Sequence, residues 1–189
     1  MNPLYPAALE LQDFCQQQGW RYCFIGGLAV LRWGRVRTTQ DVDLSLFTGF
    51  DEEERFVDTL LSHFRGRRAD AREFALRVRV LLLTAANGTF VDVALAGLPF
   101  EERMIQRATP FNFAPSVQLV TASAEDLIVT KAFAARHRDW NDIEGILVRQ
   151  RGELDWNYVR RELSALCELK EAPEIVDELE RMREKIDTE

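Results

Sequence analysis

Cysteine and histidine are scarce in this chain, and their scarcity excludes several kinds of chemistry. The 189 residues include three cysteines and two histidines, with no Cys-x-x-Cys pair. A structural zinc site and catalysis by a pair of histidines are therefore not expected. Because Cys15, Cys23 and Cys167 are odd in number, widely spaced and surrounded by apolar or helical sequence, we interpret them as small core residues.

Long apolar runs and an amino-terminal targeting pattern are also lacking. No stretch approaches the roughly 18 apolar residues of a membrane span, and the first residues show no basic segment followed by an apolar run. At 47% apolar composition, 189 residues suffice for a sizeable core. We therefore expect a soluble, globular, cytoplasmic protein with one domain, or with a catalytic domain and a smaller satellite.

Positive charge is in deficit overall but is concentrated in one segment. The net charge of -7 and the pI near 5.0 argue against a protein that simply coats nucleic acid. Within residues 65–79, however, an arginine cluster consists of Arg65, Arg67, Arg68, Arg72, Arg77 and Arg79. This cluster could meet a nucleic-acid backbone, or it could lie on a solvated helix end and an outer strand face.

Apolar periodicity and turn residues give an alternation of helices and strands. Helices are predicted at residues 5–18, 28–33, 51–64, 99–107, 124–136, from 139 onward, 156–167 and 173–186. Strands are predicted at residues 21–25, 42–46 and 117–120, with a hairpin whose arms are 73–85 and 90–95. The proline-containing segment 110–115 is interpreted as a link, which divides the chain into regions 1–110 and 111–189.

A glycine pair, Gly26 and Gly27, separates a strand-like run from a helical sequence. Glycine lets the backbone pass close to a ligand, and the free N–H groups at the start of a helix favour an anion. The pair is a candidate phosphate cradle, although two glycines before a helix are also common without any ligand.

Two aspartates, Asp41 and Asp43, are placed to share one face of a strand. Residues two apart on a strand project to the same side. Two carboxylates held roughly 7 Å or less apart repel by about 2 to 3 kcal/mol at an effective dielectric near 20. A bound cation would offset that cost, and hard oxygen ligands suit Mg²⁺ or Mn²⁺. Alternatively, Asp41 ends a loop and Asp43 lies on a solvated face.

A third acid, Asp92, lies inside an otherwise apolar strand, where an unpaired charge would be costly. If that strand lies beside the strand of Asp41 and Asp43, three carboxylates converge and could hold two metal ions around a triphosphate. Asn87-Gly88 predicts a type I′ hairpin turn that fixes the register of Asp92.

The second region offers one basic residue on an apolar helix face. Ser123 begins a capping pattern for a helix on which Lys131 lies on or beside the apolar stripe. Such a lysine could bind an anion, or it could extend its amine to solvent with its stem packed. The capping pattern recurs at Asp139, which predicts that Asp139 is the N-cap of the next helix.

The glycine pair, Asp41-x-Asp43 and the later Asp92 resemble the nucleotidyltransferase superfamily with the DNA polymerase β fold. Looser motifs are similar to the AbiEii and MenT group, known as toxins of toxin and antitoxin modules; these motifs lie at residues 37–44, 126–131 and 138–144. The resemblance implies an α+β fold in which residues 1–110 form a catalytic core with a small mixed β-sheet and flanking helices. Residues 111–189 would form a helical C-terminal region packed on that core.

The resemblance also implies an activity, which is metal-dependent transfer of a nucleoside monophosphate from an NTP to a hydroxyl group. The toxin group implies RNA, such as a tRNA end, as the acceptor and an antitoxin as the partner. Two alternatives stay open, namely modification of a small molecule such as an aminoglycoside, and a nucleotide- or antitoxin-binding module without catalysis. No membrane partner is expected.

Site residues follow from the same resemblance. The expected catalytic and metal-binding residues, with Mg²⁺ or Mn²⁺ as cofactor, are Asp41, Asp43 and Asp92. The expected nucleotide-binding residues are Gly26, Gly27, Arg37, Thr39 and Lys131. Asp139 or Asp142 would hold Lys131 in place.

Overall fold

Alternating apolar residues form strands that pair into one mixed sheet. The computed structural model describes residues 2–188. The strands are β1 (Tyr22–Phe24), β2 (Asp41–Phe47), β3 (Arg65–Gly66), β4 (Val80–Thr84), β5 (Phe90–Ala96), β6 (Thr109–Ala114) and β7 (Val117–Thr121). Their order in the sheet is β3-β4-β5-β2-β1-β7-β6. Strand β2 therefore lies inside the sheet, parallel to β5 and antiparallel to β1.

The chain forms two compact units. The first runs up to Leu28 and from Thr38 to Ala122, and the second comprises Ala29–Arg37 and the chain from Ser123 onward. The first unit contains the sheet and the helices α1 (Leu4–Gln17), α3 (Glu53–His63), α4 (Ala71–Val78) and α5 (Pro99–Arg107), whereas α2 (Gly26–Trp33) begins in the first unit and continues in the second. The predicted α+β fold with a mixed sheet is confirmed.

The core of the first unit explains the face that each strand residue takes. Val42, Leu44 and Leu46 of β2 are fully buried, and alternation places Asp41 and Asp43 on the opposite face. One side of β2 is thus fixed by apolar packing. A shift of one residue would bury both carboxylates and expose the apolar residues, so the register of β2 is strongly specified.

The second unit is helical after Ser123. Its helices are α6 (Ala124–Ala134), α7 (His137–Arg149), α8 (Trp156–Lys170) and α9 (Glu174–Thr188). The predicted cap is confirmed, because the Ser123 hydroxyl accepts a hydrogen bond from the Asp126 N–H at 3.1 Å. Helix α6 contacts each of the other three helices. No helix within residues 2–188 combines the length and apolarity needed to cross a bilayer.

Two sequence-based assignments are wrong in secondary structure. The hairpin arm predicted at 73–85 is helix α4 followed by β4, because Arg79 takes a left-handed conformation (φ 57°) that ends the helix. The segment 110–115 belongs largely to strand β6 and not to a link. Pro110 is compatible with that strand because β6 lies at the edge of the sheet. On an edge strand, proline can occupy a position whose N–H group would point to solvent, so no hydrogen bond of the sheet is lost.

The hairpin before Asp92 exists, but its turn is not type I′. Within the pair Asn87-Gly88, only Gly88 has a positive φ (84°), and the Gly88 N–H donates to the Ala85 carbonyl. The connection is therefore a three-residue loop with glycine in the left-handed position. The Asn87 side chain accepts the Thr89 N–H at 3.0 Å, which favours this longer loop.

Candidate active site

Three carboxylates converge on one side of the sheet in the first unit. Asp41 and Asp43 point the same way from β2, and the parallel pairing places Asp43 opposite Asp92 of β5. One oxygen from each of the three side chains lies within 4.8 Å of the others. All three residues are partly buried. We call Asp41, Asp43 and Asp92 the acidic triad.

Within the acidic triad, the surroundings of Asp92 disfavour its charged form. Burial raises the pKa of Asp92, and the nearby Asp41 carboxylate raises it further. Arg67 opposes both effects, because one of its terminal nitrogens donates a hydrogen bond to an Asp92 oxygen. The sequence placed Arg67 in a surface cluster and gave no sign of this contact, since the pairing depends on the order of strands in the sheet.

The chemistry of the acidic triad fits a hard divalent cation. Carboxylate oxygens are the ligands that Mg²⁺ and Mn²⁺ prefer, and the separation of the three oxygens allows them to share one or two ions. Neighbouring hydrogen bonds also orient two of the three carboxylates. The Thr39 hydroxyl donates to Asp41 Oδ1 at 3.0 Å, and the Gly27 N–H donates to Asp43 Oδ2 at 3.4 Å.

The glycine pair lies directly against these side chains. A Cβ atom at Gly26 would overlap the Asp43 carboxylate, and a Cβ atom at Gly27 would overlap the Thr39 side chain. Gly26 also has a left-handed backbone (φ 56°), which side chains disfavour. The pair is therefore required where the backbone approaches Thr39 and Asp43.

We expect Gly26→Ala to lower the free energy of unfolding by about 2 to 3 kcal/mol, because it adds a steric overlap with Asp43 to the left-handed strain. Gly19→Ala is the matched control, since Gly19 has a similar φ (66°) and a Cβ atom there would have no neighbour within 4 Å. Its expected loss is about 1 kcal/mol. Urea unfolding of both variants measures the difference, and equal losses would show that the contact with Asp43 is unimportant.

The second unit contains a buried network of charges around Lys131. Its ammonium group lies 3.0 Å from Asp139 Oδ1 and 2.7 Å from Asp142 Oδ2. Arg37 donates two hydrogen bonds to Asp142, at 2.6 and 2.9 Å, and Arg136 donates to Asp139 at 2.6 Å. Lys131 is 6% exposed, so its amine ends on carboxylates inside the unit and does not extend to solvent.

The prediction that Asp139 is an N-cap is wrong. Helix α7 begins at His137 with Arg136 at its N-cap, so Asp139 lies within the first turn and is fully buried. Its side chain binds Lys131 and Arg136 instead of the helix backbone. Burial alone would raise the pKa of both carboxyl groups. Hydrogen bonds from Arg136 and Lys131 outweigh burial and lower the pKa of Asp139, and those from Arg37 and Lys131 do the same for Asp142.

The arginine cluster is mostly engaged with carboxylates. Arg67 binds Asp92, and the other ion pairs are Arg68 with Asp70, Arg72 with Glu54 and Asp58, and Arg79 with Glu53. Arg77 lies over the ring of Phe74 at 5.9 Å. These contacts favour the interpretation of residues 65–79 as a solvated helix end and an outer strand face over that of a nucleic-acid interface.

Comparison with known proteins bears on this geometry. A family model described as a nucleotidyltransferase of unknown function (DUF6036) matches residues 7–187. No curated protein matches the sequence significantly. Among solved structures, an antigenic nucleotidyltransferase-like protein from Paracoccidioides brasiliensis is 17% identical, with a TM-score of 0.54 and coverage of 95% of this chain and 93% of that one. This similarity shows a shared fold.

Two further solved structures are more distant. The antibiotic-resistance factor ANT(2'')-Ia is 14% identical over 98% of this chain and 91% of its own, with a TM-score of 0.49. The lincosamide antibiotic adenylyltransferase LnuA, bound to lincomycin, is 13% identical over 73% of this chain and 92% of its own, also with a TM-score of 0.49. These comparisons do not confirm the resemblance to the AbiEii and MenT group.

Proposed function

Because the chain belongs to the DUF6036 family of nucleotidyltransferases, we propose that its first unit transfers a nucleoside monophosphate from an NTP to a hydroxyl group. The observation that carries this proposal is the acidic triad, with one oxygen from each residue within 4.8 Å of the others. Parallel pairing of β2 with β5 creates that arrangement. The three residues are only partly buried, which supports access of a ligand to their oxygens.

The proposed reaction forms a bond between the acceptor oxygen and the α-phosphorus, breaks the bond from that phosphorus to the bridging oxygen, and releases pyrophosphate. Asp41 and Asp43 would hold Mg²⁺, with Thr39 orienting Asp41 and Gly27 orienting Asp43. Asp92, from the neighbouring strand, would share a second ion or would accept the proton of the acceptor hydroxyl. Bound Mg²⁺ would neutralise charge on the triphosphate and on the leaving pyrophosphate.

Nucleotide binding is proposed for Gly26, Gly27, Thr39, Arg37 and Lys131. The first three are supported by their closeness to the acidic triad. For Arg37 and Lys131 the support is their charge and the resemblance in motifs, which implies that they offset triphosphate charge. Asp139 and Asp142 would hold these cations in position, which their hydrogen bonds support.

For the acceptor we propose RNA, such as a tRNA end, with an antitoxin as the partner of the protein. The support is the resemblance of residues 37–44, 126–131 and 138–144 to the toxin group. The pairing of the arginine cluster adds no support for RNA. The net charge of -7 favours a second candidate, a small cationic acceptor such as an aminoglycoside.

Labelled NTPs, Mg²⁺ and purified protein, incubated in parallel with total RNA and with aminoglycosides, distinguish these acceptors. We expect label in RNA, and loss of labelling when a chelator removes the metal. Label in aminoglycosides with RNA untouched would overturn the toxin proposal but not nucleotidyl transfer. If no label is incorporated with any NTP, metal or acceptor, a binding module without catalysis is favoured. The same conclusion would follow if Asp43→Ala or Asp92→Ala produced the same cellular phenotype as the wild-type protein.

A further inference from the structure

Arg67 is held beside the acidic triad by contacts of its own. Its backbone N–H donates to the Leu82 carbonyl at 2.9 Å, which fixes the chain just after the edge strand β3. Its guanidinium group lies 4.7 Å from the ring centre of Phe90, a residue on the same strand as Asp92. The side chain is 21% exposed. These contacts therefore hold the Arg67 side chain beside the acidic triad.

The contact between Arg67 and Asp92 is a single hydrogen bond and involves only one of the two carboxylate oxygens. One terminal nitrogen donates to Asp92 Oδ1, whereas the Arg67 Nε is buried and has no hydrogen-bond acceptor within residues 2–188. Within the same residues, Asp92 Oδ2 has no hydrogen-bonding partner. One Asp92 oxygen is thus occupied by a fixed cation while the other remains available to a ligand.

We propose that Arg67 is a built-in counter-ion that occupies Asp92 in place of a metal and opposes metal loading there. The inference rests on the proposed function, because it takes the acidic triad as the metal site. The fixed positive charge of Arg67 repels a dication. Its hydrogen bond also occupies a lone pair of Asp92 Oδ1, which is then not free to bind the metal. Without metal, Arg67 thereby offsets the repulsion among the three carboxylates. It also sets the metal concentration that is needed for an ion to bind Asp92.

The test is Mn²⁺ binding to the full chain without NTP, measured by the electron paramagnetic resonance signal of free Mn²⁺. Arg67→Gln is expected to bind Mn²⁺ about 10-fold more tightly than the wild type, because it removes the repulsion between one positive charge and the dication. Its melting temperature should be lower without metal and should recover at saturating Mn²⁺. Arg68→Gln removes an equal charge from an arginine paired with Asp70, and its Mn²⁺ affinity should match the wild type.

Arg67→Lys separates charge from packing. Because it keeps the positive charge, its Mn²⁺ affinity should stay near that of the wild type. Equal tightening in the lysine and glutamine variants would overturn the counter-ion role, as would an affinity of Arg67→Gln equal to or weaker than that of Arg68→Gln. Mn²⁺ binding unchanged by Asp43→Asn would place the metal elsewhere, which overturns the proposed function together with this inference.

Discussion

Asp43→Asn is expected to lower the rate of nucleotidyl transfer by about 1,000-fold, or ~4 kcal/mol of transition-state free energy. Asparagine has nearly the same shape and keeps an oxygen that can accept the Gly27 N–H. It lacks the charge needed to hold a divalent cation. Because it also removes repulsion within the acidic triad, stability without metal should be unchanged or higher. Loss of activity without loss of stability is the signature of a metal ligand.

The matched control is Asp58→Asn, which removes the same charge from an exposed residue of the first unit that pairs with Arg72. Its transfer rate should stay within about two-fold of the wild type, since exposed ion pairs contribute little. Initial rates with labelled NTP, together with thermal unfolding of the same samples, give both quantities. An Asp43→Asn rate near that of the control would contradict a catalytic role for the triad.

Lys131→Met is expected to lower the free energy of unfolding by about 3 to 5 kcal/mol, because it leaves two buried carboxylates short of a cation. Asp139 is fully buried and Asp142 nearly so, and the ammonium group contacts both. Lys185→Met removes an exposed lysine of helix α9 and should cost almost nothing. Urea unfolding at neutral pH measures both variants, and equal small losses would contradict a structural role for the network.

The same network predicts a dependence on pH. The pKa values of Asp139 and Asp142 are lowered in the folded protein from their ordinary value of 3.8, so the stability they contribute is present above 3.8 and is lost as the pH falls through the lowered values. The deficit of Lys131→Met should therefore be largest near neutral pH and shrink toward and below pH 3.8. A deficit that stays constant from neutral pH downward would contradict this.

The arrangement of the acidic triad could be anticipated from the sequence in part. Apolar alternation places Asp41 and Asp43 on one face of β2, and an acid inside an apolar strand requires a compensating neighbour. That β5 lies beside β2 could not be read from local pattern, because the paired residues Asp43 and Asp92 are far apart in sequence. The resemblance to a known superfamily supplied the expectation, and the strand pairing shows how the acids converge.

Other features depend on contacts that local patterns do not encode. Arg67 reaches Asp92 only because β3 and β4 pair beside β5. Asp139 matches a capping pattern, yet its side chain binds Lys131, because a buried ammonium group needs a carboxylate more than a helix end needs a cap. Local sequence predicts the cap at Ser123 correctly, whereas tertiary charge pairing decides what the Asp139 side chain binds.

The position of the label on the NTP tests the central claim most directly. Wild-type protein with Mg²⁺ and acceptor should incorporate label from α-labelled NTP and release label from γ-labelled NTP as pyrophosphate. Asp43→Asn should do both about 1,000-fold more slowly. Transfer of the γ-label to the acceptor would show a different reaction. Incorporation of the α-label at an equal rate by Asp43→Asn would contradict the assignment of the chemistry to the acidic triad.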